Sequence, residues 1–72
     1  MTYDEAYDLY DRKYARKVAR KQNVIIRTWN KAEKGGATKK DWAKYRKAQD
    51  KIIQYEGEIM EKAEKLSGEK AS

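Results

Sequence analysis

Lys34-Gly35-Gly36-Ala37-Thr38-Lys39-Lys40-Asp41 sits at the middle of a 72-residue chain and decides how that chain folds. Two adjacent glycines supply the left-handed backbone that a helix terminus and a tight reversal need. Thr38 followed three residues later by Asp41 reads as a capping pattern: the hydroxyl takes one orphan amide and the carboxylate reaches back for another. The stretch therefore stops one helix and starts a second. Elsewhere the chain has no proline and only two more glycines, Gly57 and Gly68. Gly57 weakens a helix interior by about 1 kcal/mol relative to alanine.

Toward the N-terminus, Thr2 and Glu5 repeat the capping pattern, and Asp4, Glu5 and Asp8 place negative charge where the helix dipole favours it. Tyr3, Tyr7, Tyr10, Tyr14, Val18, Ile25, Trp29 and Ala32 then fall on one stripe, with Lys21 or Gln22 filling the gap. That spacing predicts one amphipathic helix over residues 3–33. Toward the C-terminus, Trp42, Tyr45, Gln49, Ile52, Glu56, Ile59, Ala63 and Leu66 alternate in threes and fours, a heptad seam. Ala48 and Tyr55 flank it on one side, and Ile53 and Met60 on the other. Ser67-Gly68 ends this second helix.

The fold expected is all-α, an antiparallel two-helix hairpin with helices over about 3–33 and 39–66. Residues 1–66 form its single domain and 67–72 a disordered tail. Register counted outward from the turn places Trp29 near Tyr45, Ile25 near Gln49 and Tyr14 near Ile59. A lone hairpin of this size buries little. Two are therefore expected to dimerise into a four-helix bundle, with Val24, Ile26, Ile53 and Met60 as the intersubunit contacts. The alternative is that the hairpin completes its core on another protein.

Charge is sorted along the chain. Residues 12–51 hold fifteen of the eighteen Lys and Arg and only three acids, Glu33, Asp41 and Asp50. Residues 1–11 hold four acids and no base, and residues 52–72 hold five Glu against three Lys. Folding back at Gly35-Gly36 gathers the positive charge at the loop end and the negative charge at the termini. A field of one sign attracts the opposite sign and raises encounter rates.

Two features point to where that field acts. Arg12, Arg16, Arg20, Arg27 and Lys31 lie opposite the apolar stripe of the first helix, and Lys40, Lys44, Lys47 and Lys51 form a row on the second. Ordinary solvated helix faces mix signs, with Glu four residues before Lys, and this region hardly does. Thr38, Lys39 and Lys40 put two cations beside the positive end of a helix dipole, the wrong sign for stability. Free amides and a hydroxyl there suggest an anion seat. Phosphate contacts through these residues explain the pattern. The tyrosines read as core, their hydroxyls reaching the surface. Gln49 and Glu56 read as polar members of the seam that either fix register or mark a stretch of it open to water.

The composition also excludes much. The absence of His and Cys leaves no thiolate metal site, and no phosphate-binding loop or nucleophile–base pair is present. The chain is expected to be non-enzymatic, with no cofactor, no metal and no small-molecule substrate. No apolar run spans a bilayer, and no secretory signal opens the chain, so a cytoplasmic protein with no membrane partner is expected. The partner expected is nucleic acid, DNA or RNA, bound largely without regard to sequence. The alternative is an acidic protein surface on which the basic end docks as a regulator. Head-to-tail self-assembly through the opposite ends is a third reading.

Overall fold

The computed structural model describes residues 1–69. Two helices account for nearly all of them: α1, Tyr3–Glu33, and α2, Lys39–Ser67. They pack along their whole length as an antiparallel hairpin, a rod of 48 × 17 × 16 Å. Thirty-one residues at about 1.5 Å each already span that long axis. Among the described residues no helix is long and apolar enough to cross a membrane.

Each helix start is capped as its sequence implies. Thr2 Oγ1 accepts from the Glu5 amide while the Thr2 amide donates to Glu5 Oε1. Thr38 Oγ1 accepts from the Asp41 amide while the Thr38 amide donates to Asp41 Oδ2 at 2.9 Å. The turn is a Schellman closure. Gly36 N–H donates to Lys31 O and Gly35 N–H to Ala32 O, with Gly35 at φ 75°. An L side chain is strained at that φ, so Gly35 is the residue the reversal requires. Helix α2 runs one residue further than expected. Ser67 Oγ donates to Ala63 O, and Gly68 closes the helix at φ 74°. Of the expected tail, residues 70–72 lie outside the described residues.

The two helices meet through small side chains. Ala6, Ala48, Ala63 and Thr28 are buried at the line of closest approach, joined by Ile59 and Tyr14. Thr28 hides its hydroxyl at little cost by donating to Val24 O at 2.9 Å. This corrects the expected seam in α2. Gln49 and Glu56 are exposed, and Ala48 and the half-buried Tyr55, expected at the flank, take the inward places. The inward run is thus Tyr45, Ala48, Ile52, Tyr55, Ile59 and Ala63, still in steps of three and four. In α1 the half-buried Lys21 fills the gap in the stripe, and Trp29 is half exposed while its neighbour Thr28 is buried.

The large rings sit beside this contact line. Trp29 meets Trp42 edge-on at 5.4 Å and Tyr45 at 5.8 Å, which is the expected register at the loop end. The Tyr14 and Tyr55 rings meet tilted at 57°, with centroids 5.7 Å apart. The rod therefore has two broad flanks, one on each side of the contact line, and the sequence places different chemistry on each.

Candidate nucleic-acid interface

One flank is a cationic groove. Two adjoining hollows of about 200 Å³ each share Val24 and Lys44. The first is lined by Val24, Arg27, Thr28, Lys31, Asp41 and Lys44, and the second by Lys21, Val24, Lys44, Lys47 and Ala48. Val24, Thr28 and Ala48 make the floor. Lys21, Arg27 and Lys31 stand on the α1 rim, and Lys44 and Lys47 on the α2 rim. Helical spacing of three and four puts Arg20 and Lys40 on the same two rims.

The groove has one carboxylate among these lining residues, and the chain consumes it. Asp41 accepts from Thr38 and forms an ion pair with Lys31 Nζ at 3.2 Å. The Thr38 amide, then Lys31, hold the Asp41 carboxyl below the ordinary aspartate range. The anion seat expected at Thr38–Lys40 is thus taken by the chain's own carboxylate: Thr38 is committed to Asp41, and Lys39 and Lys40 are exposed.

Toward the termini the same flank continues as lysines laid on tyrosine rings. Lys17 Nζ lies 5.2 Å from the Tyr14 centroid and 5.9 Å from Tyr55, and Lys51 lies 6.0 Å from Tyr55. Lys13 sits over Tyr10 at 5.2 Å, and Lys62 between Tyr10 and Tyr14 at 5.8 and 5.5 Å. The negative ring faces hold these ammonium groups in place at the cost of few acids. Tyr14, beside Lys62, raises that ammonium above its ordinary range. Of the tyrosine ladder expected as core, Tyr14 is buried and Tyr3, Tyr7 and Tyr10 are half-buried, and Tyr10 and Tyr14 also seat cations.

The expected site residues therefore sort into groups. Arg27, Lys31, Lys44 and Lys47 share the groove, and Arg20 and Lys40 extend its rims. Arg16 is exposed one turn further along α1. Arg12 stands on the outer side of α1, paired with Asp8 at 2.8 Å. Lys39 sits on the far side of α2 from Lys40 and Lys44 by helical spacing. Lys21 and Lys62 were missed. Lys21 looked like filler in an apolar stripe, and Lys62 lies in the acidic third, where only the antiparallel register brings it beside Tyr10. Val24, expected at a subunit interface, instead floors the groove.

The opposite flank carries more exposed apolar surface, with Arg46 and Lys39 continuing the Ile53–Met60 row toward the loop by heptad spacing. Ile25, Gln49, Asp50, Ile52 and Ile53 line a shallow hollow there, next to the Trp29–Trp42 pair. Ile26 and Met60 stand on the same side by helical spacing and are exposed. Among the described residues no cluster of His, Cys, Asp or Glu is arranged to hold a metal ion. Comparison with protein-family models, with curated proteins and with solved structures finds no match to this chain.

Proposed function

We propose that this hairpin is a non-enzymatic binding protein that holds nucleic-acid phosphates along its cationic groove, as a homodimer built into a four-helix bundle. The observation that carries this reading is the groove itself. Five cations from two helices, Lys21, Arg27, Lys31, Lys44 and Lys47, stand around one hollow whose single lining carboxylate is held by Thr38 and Lys31. Like charges gathered on one surface repel and oppose folding, and a bound polyanion removes that opposition. The mechanism is counterion release at the phosphates. The rims carry Lys and Arg rather than Asn or Gln, so little base reading is implied.

Titration of duplex DNA and duplex RNA at several salt concentrations tests the reading. Five phosphate contacts predict a log–log salt slope of about −4 to −5 on B-DNA. Failure to bind either duplex at ~50 mM salt overturns it. A groove that ignores both nucleic acids but binds a polyglutamate chain with the same salt slope would favour an acidic protein as the partner.

A further inference from the structure

The flank opposite the groove is apolar and uncovered. Ile53 is 66% exposed, Ile26 55%, Trp29 50% and Met60 41%. Ile26 and Trp29 are a turn apart on α1, Ile53 and Met60 are two turns apart on α2, and Ile25, Ile52 and Ile53 line one hollow with Gln49 and Asp50 between them. Large apolar side chains exposed on one flank mark an interface.

Surface area says how much is left to cover. The chain exposes 5787 Å². A folded monomer of 8.5 kDa is expected to expose about 4,650 Å². The excess, about 1,100 Å², is what one protomer of a stable homodimer hides, since standard interfaces bury about 800 Å² per partner and obligate ones more. A rod of two helices is too thin to hide its own flank, and a second rod is the shape that fits it.

Charge gives the orientation. The loop end is cationic, because residues 12–51 carry the basic excess, and the termini are anionic. Two hairpins laid end for end put each loop end against the other's termini, whereas the parallel arrangement sets like charges together. The patch has matching spacing. Ile53 is the midpoint of α2, so it lies near the two-fold axis of an end-for-end pair. Met60 is about 10 Å from its helix midpoint toward the termini, and Ile26 about 12 Å from the α1 midpoint toward the loop. End for end, Ile26 of each copy therefore lies at the same height along the rod as Met60 of the other, on the neighbouring helix.

We infer that a second copy of this chain covers the Ile26–Trp29–Ile53–Met60 flank end for end, so that the dimer presents one cationic groove on each outer side and bridges two polyanion segments. The bridging half rests on the nucleic-acid reading proposed above, and the pairing gives the homodimer of that reading its surface and orientation without needing nucleic acid. A dimer with its grooves on opposite outer sides holds two duplexes apart and together at once, a cross-linking activity that a single hairpin lacks.

Sedimentation equilibrium of the protein alone tests the pairing. Wild type sediments as a dimer at ~10 μM. Ile53→Glu, which buries an unpaired carboxylate in the interface, raises the dimer dissociation constant at least about 100-fold. Its helical circular dichroism is retained, because Ile53 is not part of the α1–α2 contact. The chain has no cysteine, so Ile53→Cys gives a covalent dimer on oxidation while Lys47→Cys, on the groove side, does not. A wild type that is monomeric at every concentration, or a dimer that survives Ile53→Glu, overturns the pairing. For bridging, duplex fixed on beads captures a second, fluorescent duplex through wild type but not through Ile53→Glu, which still retards a single duplex. A dimer that retards duplex but captures no second one overturns the two-sided arrangement. A dimer that retards none overturns the nucleic-acid reading and leaves the pairing standing.

Discussion

The two flanks of this rod are built from the same two helices, yet they resolve opposite problems. One gathers Lys21, Arg27, Lys31, Lys44 and Lys47 around a groove floored by Val24, Thr28 and Ala48. The other leaves Ile26, Trp29, Ile53 and Met60 open. Charge that repels itself and apolar surface that water disfavours are both costly in an isolated hairpin. Neither helps the fold stand alone, and each makes sense against a binding partner. The contact line between them is what holds the fold, and it is made of small residues that let the helices approach closely.

The largest expected effect separates that contact line from the apolar flank. Ile59 is 1% exposed and Ile53 is 66% exposed, six residues apart on one helix. Ile59→Ala deletes packed methyl groups and leaves a cavity, costing about 2–5 kcal/mol, enough to unfold most of a small domain. Ile53→Ala in the monomeric state should cost no more than about 0.5 kcal/mol. Urea titrations followed by circular dichroism at low protein concentration read both. Equal losses at the two sites would erase the distinction between contact line and flank.

Next in size is the groove. Lys44→Glu with Lys47→Glu reverses both α2 rim cations, and neither takes part in the interhelical packing. Duplex affinity at low salt should fall on the order of 100-fold, with the salt slope shallower by about 2. Stability should change by no more than about 0.5 kcal/mol, with relief of rim repulsion as the favourable term. A variant that loses binding and stability together would mean that the rim is structural. Arg12→Glu is the matched control: Arg12 stands outside the groove beside Asp8, so the groove's salt slope should hardly move.

How much of this was legible in the sequence follows from the range of the interactions involved. Both capping boxes, the Gly35 reversal and the helix spans depend on residues three to five apart, and the chain spells them out locally. The expected seam of α2 departs from the observed one at two positions, Gln49 for Ala48 and Glu56 for Tyr55, because threes and fours can be counted through either residue of each pair. Apolar periodicity gives Trp29 an inward place, whereas two helices in close contact put Ala6, Ala48, Ala63 and Thr28 there, with Tyr14 and Ile59, and leave Trp29 half exposed at the side. That shift exposes Gln49 and Glu56 and turns Val24 into the floor of the groove. The basic residues were visible as a run along the chain. Their division into a groove on one flank and isolated cations elsewhere depended on the same rotation. Lys62 over Tyr10 and Tyr14 depends on antiparallel register to place, which no local pattern encodes.

A smaller effect sits where the groove meets the start of α2. Asp41 serves the helix and subtracts from the groove's positive charge at once. Asp41→Asn should weaken the start of α2 while tightening polyanion binding, opposite signs from one substitution, read by thermal melts and duplex titration. The pH dependence has the same origin. Thr2 holds the Glu5 carboxyl below its ordinary 4.5, and Thr38 with Lys31 hold Asp41 below its ordinary 3.8. Because the folded values are lowered, the stability they supply is complete above the ordinary values and is lost as pH falls through the lowered ones. Melting temperature should therefore be flat from pH 7 to about 5 and decline below about 4. Thr38→Ala should remove about 1 kcal/mol at neutral pH and less in acid. A loss independent of pH would mean that the Asp41 box is not what the threonine supports.

The smallest effect tests the apolar flank most sharply. Gly57 stands between Ile53 and Met60, and a Cβ built on it meets nothing within 4 Å. In an isolated hairpin that glycine serves no packing purpose, and Gly57→Ala should stabilise by about 0.5–1 kcal/mol through helix propensity alone. In the end-for-end dimer the position lies one turn from the axis, where a second helix crosses and a missing side chain permits close approach. The same substitution should then stabilise the Ile53→Glu monomer by the full amount and wild type by less, or weaken wild-type pairing outright. Double-mutant comparison of the two backgrounds by urea unfolding and sedimentation gives the difference directly. Identical gains in both would place Gly57 outside the interface and shift the pairing surface toward the Trp29–Trp42 end. A gain confined to the monomer would explain why a helix that is otherwise rich in good helix formers keeps a glycine near its centre.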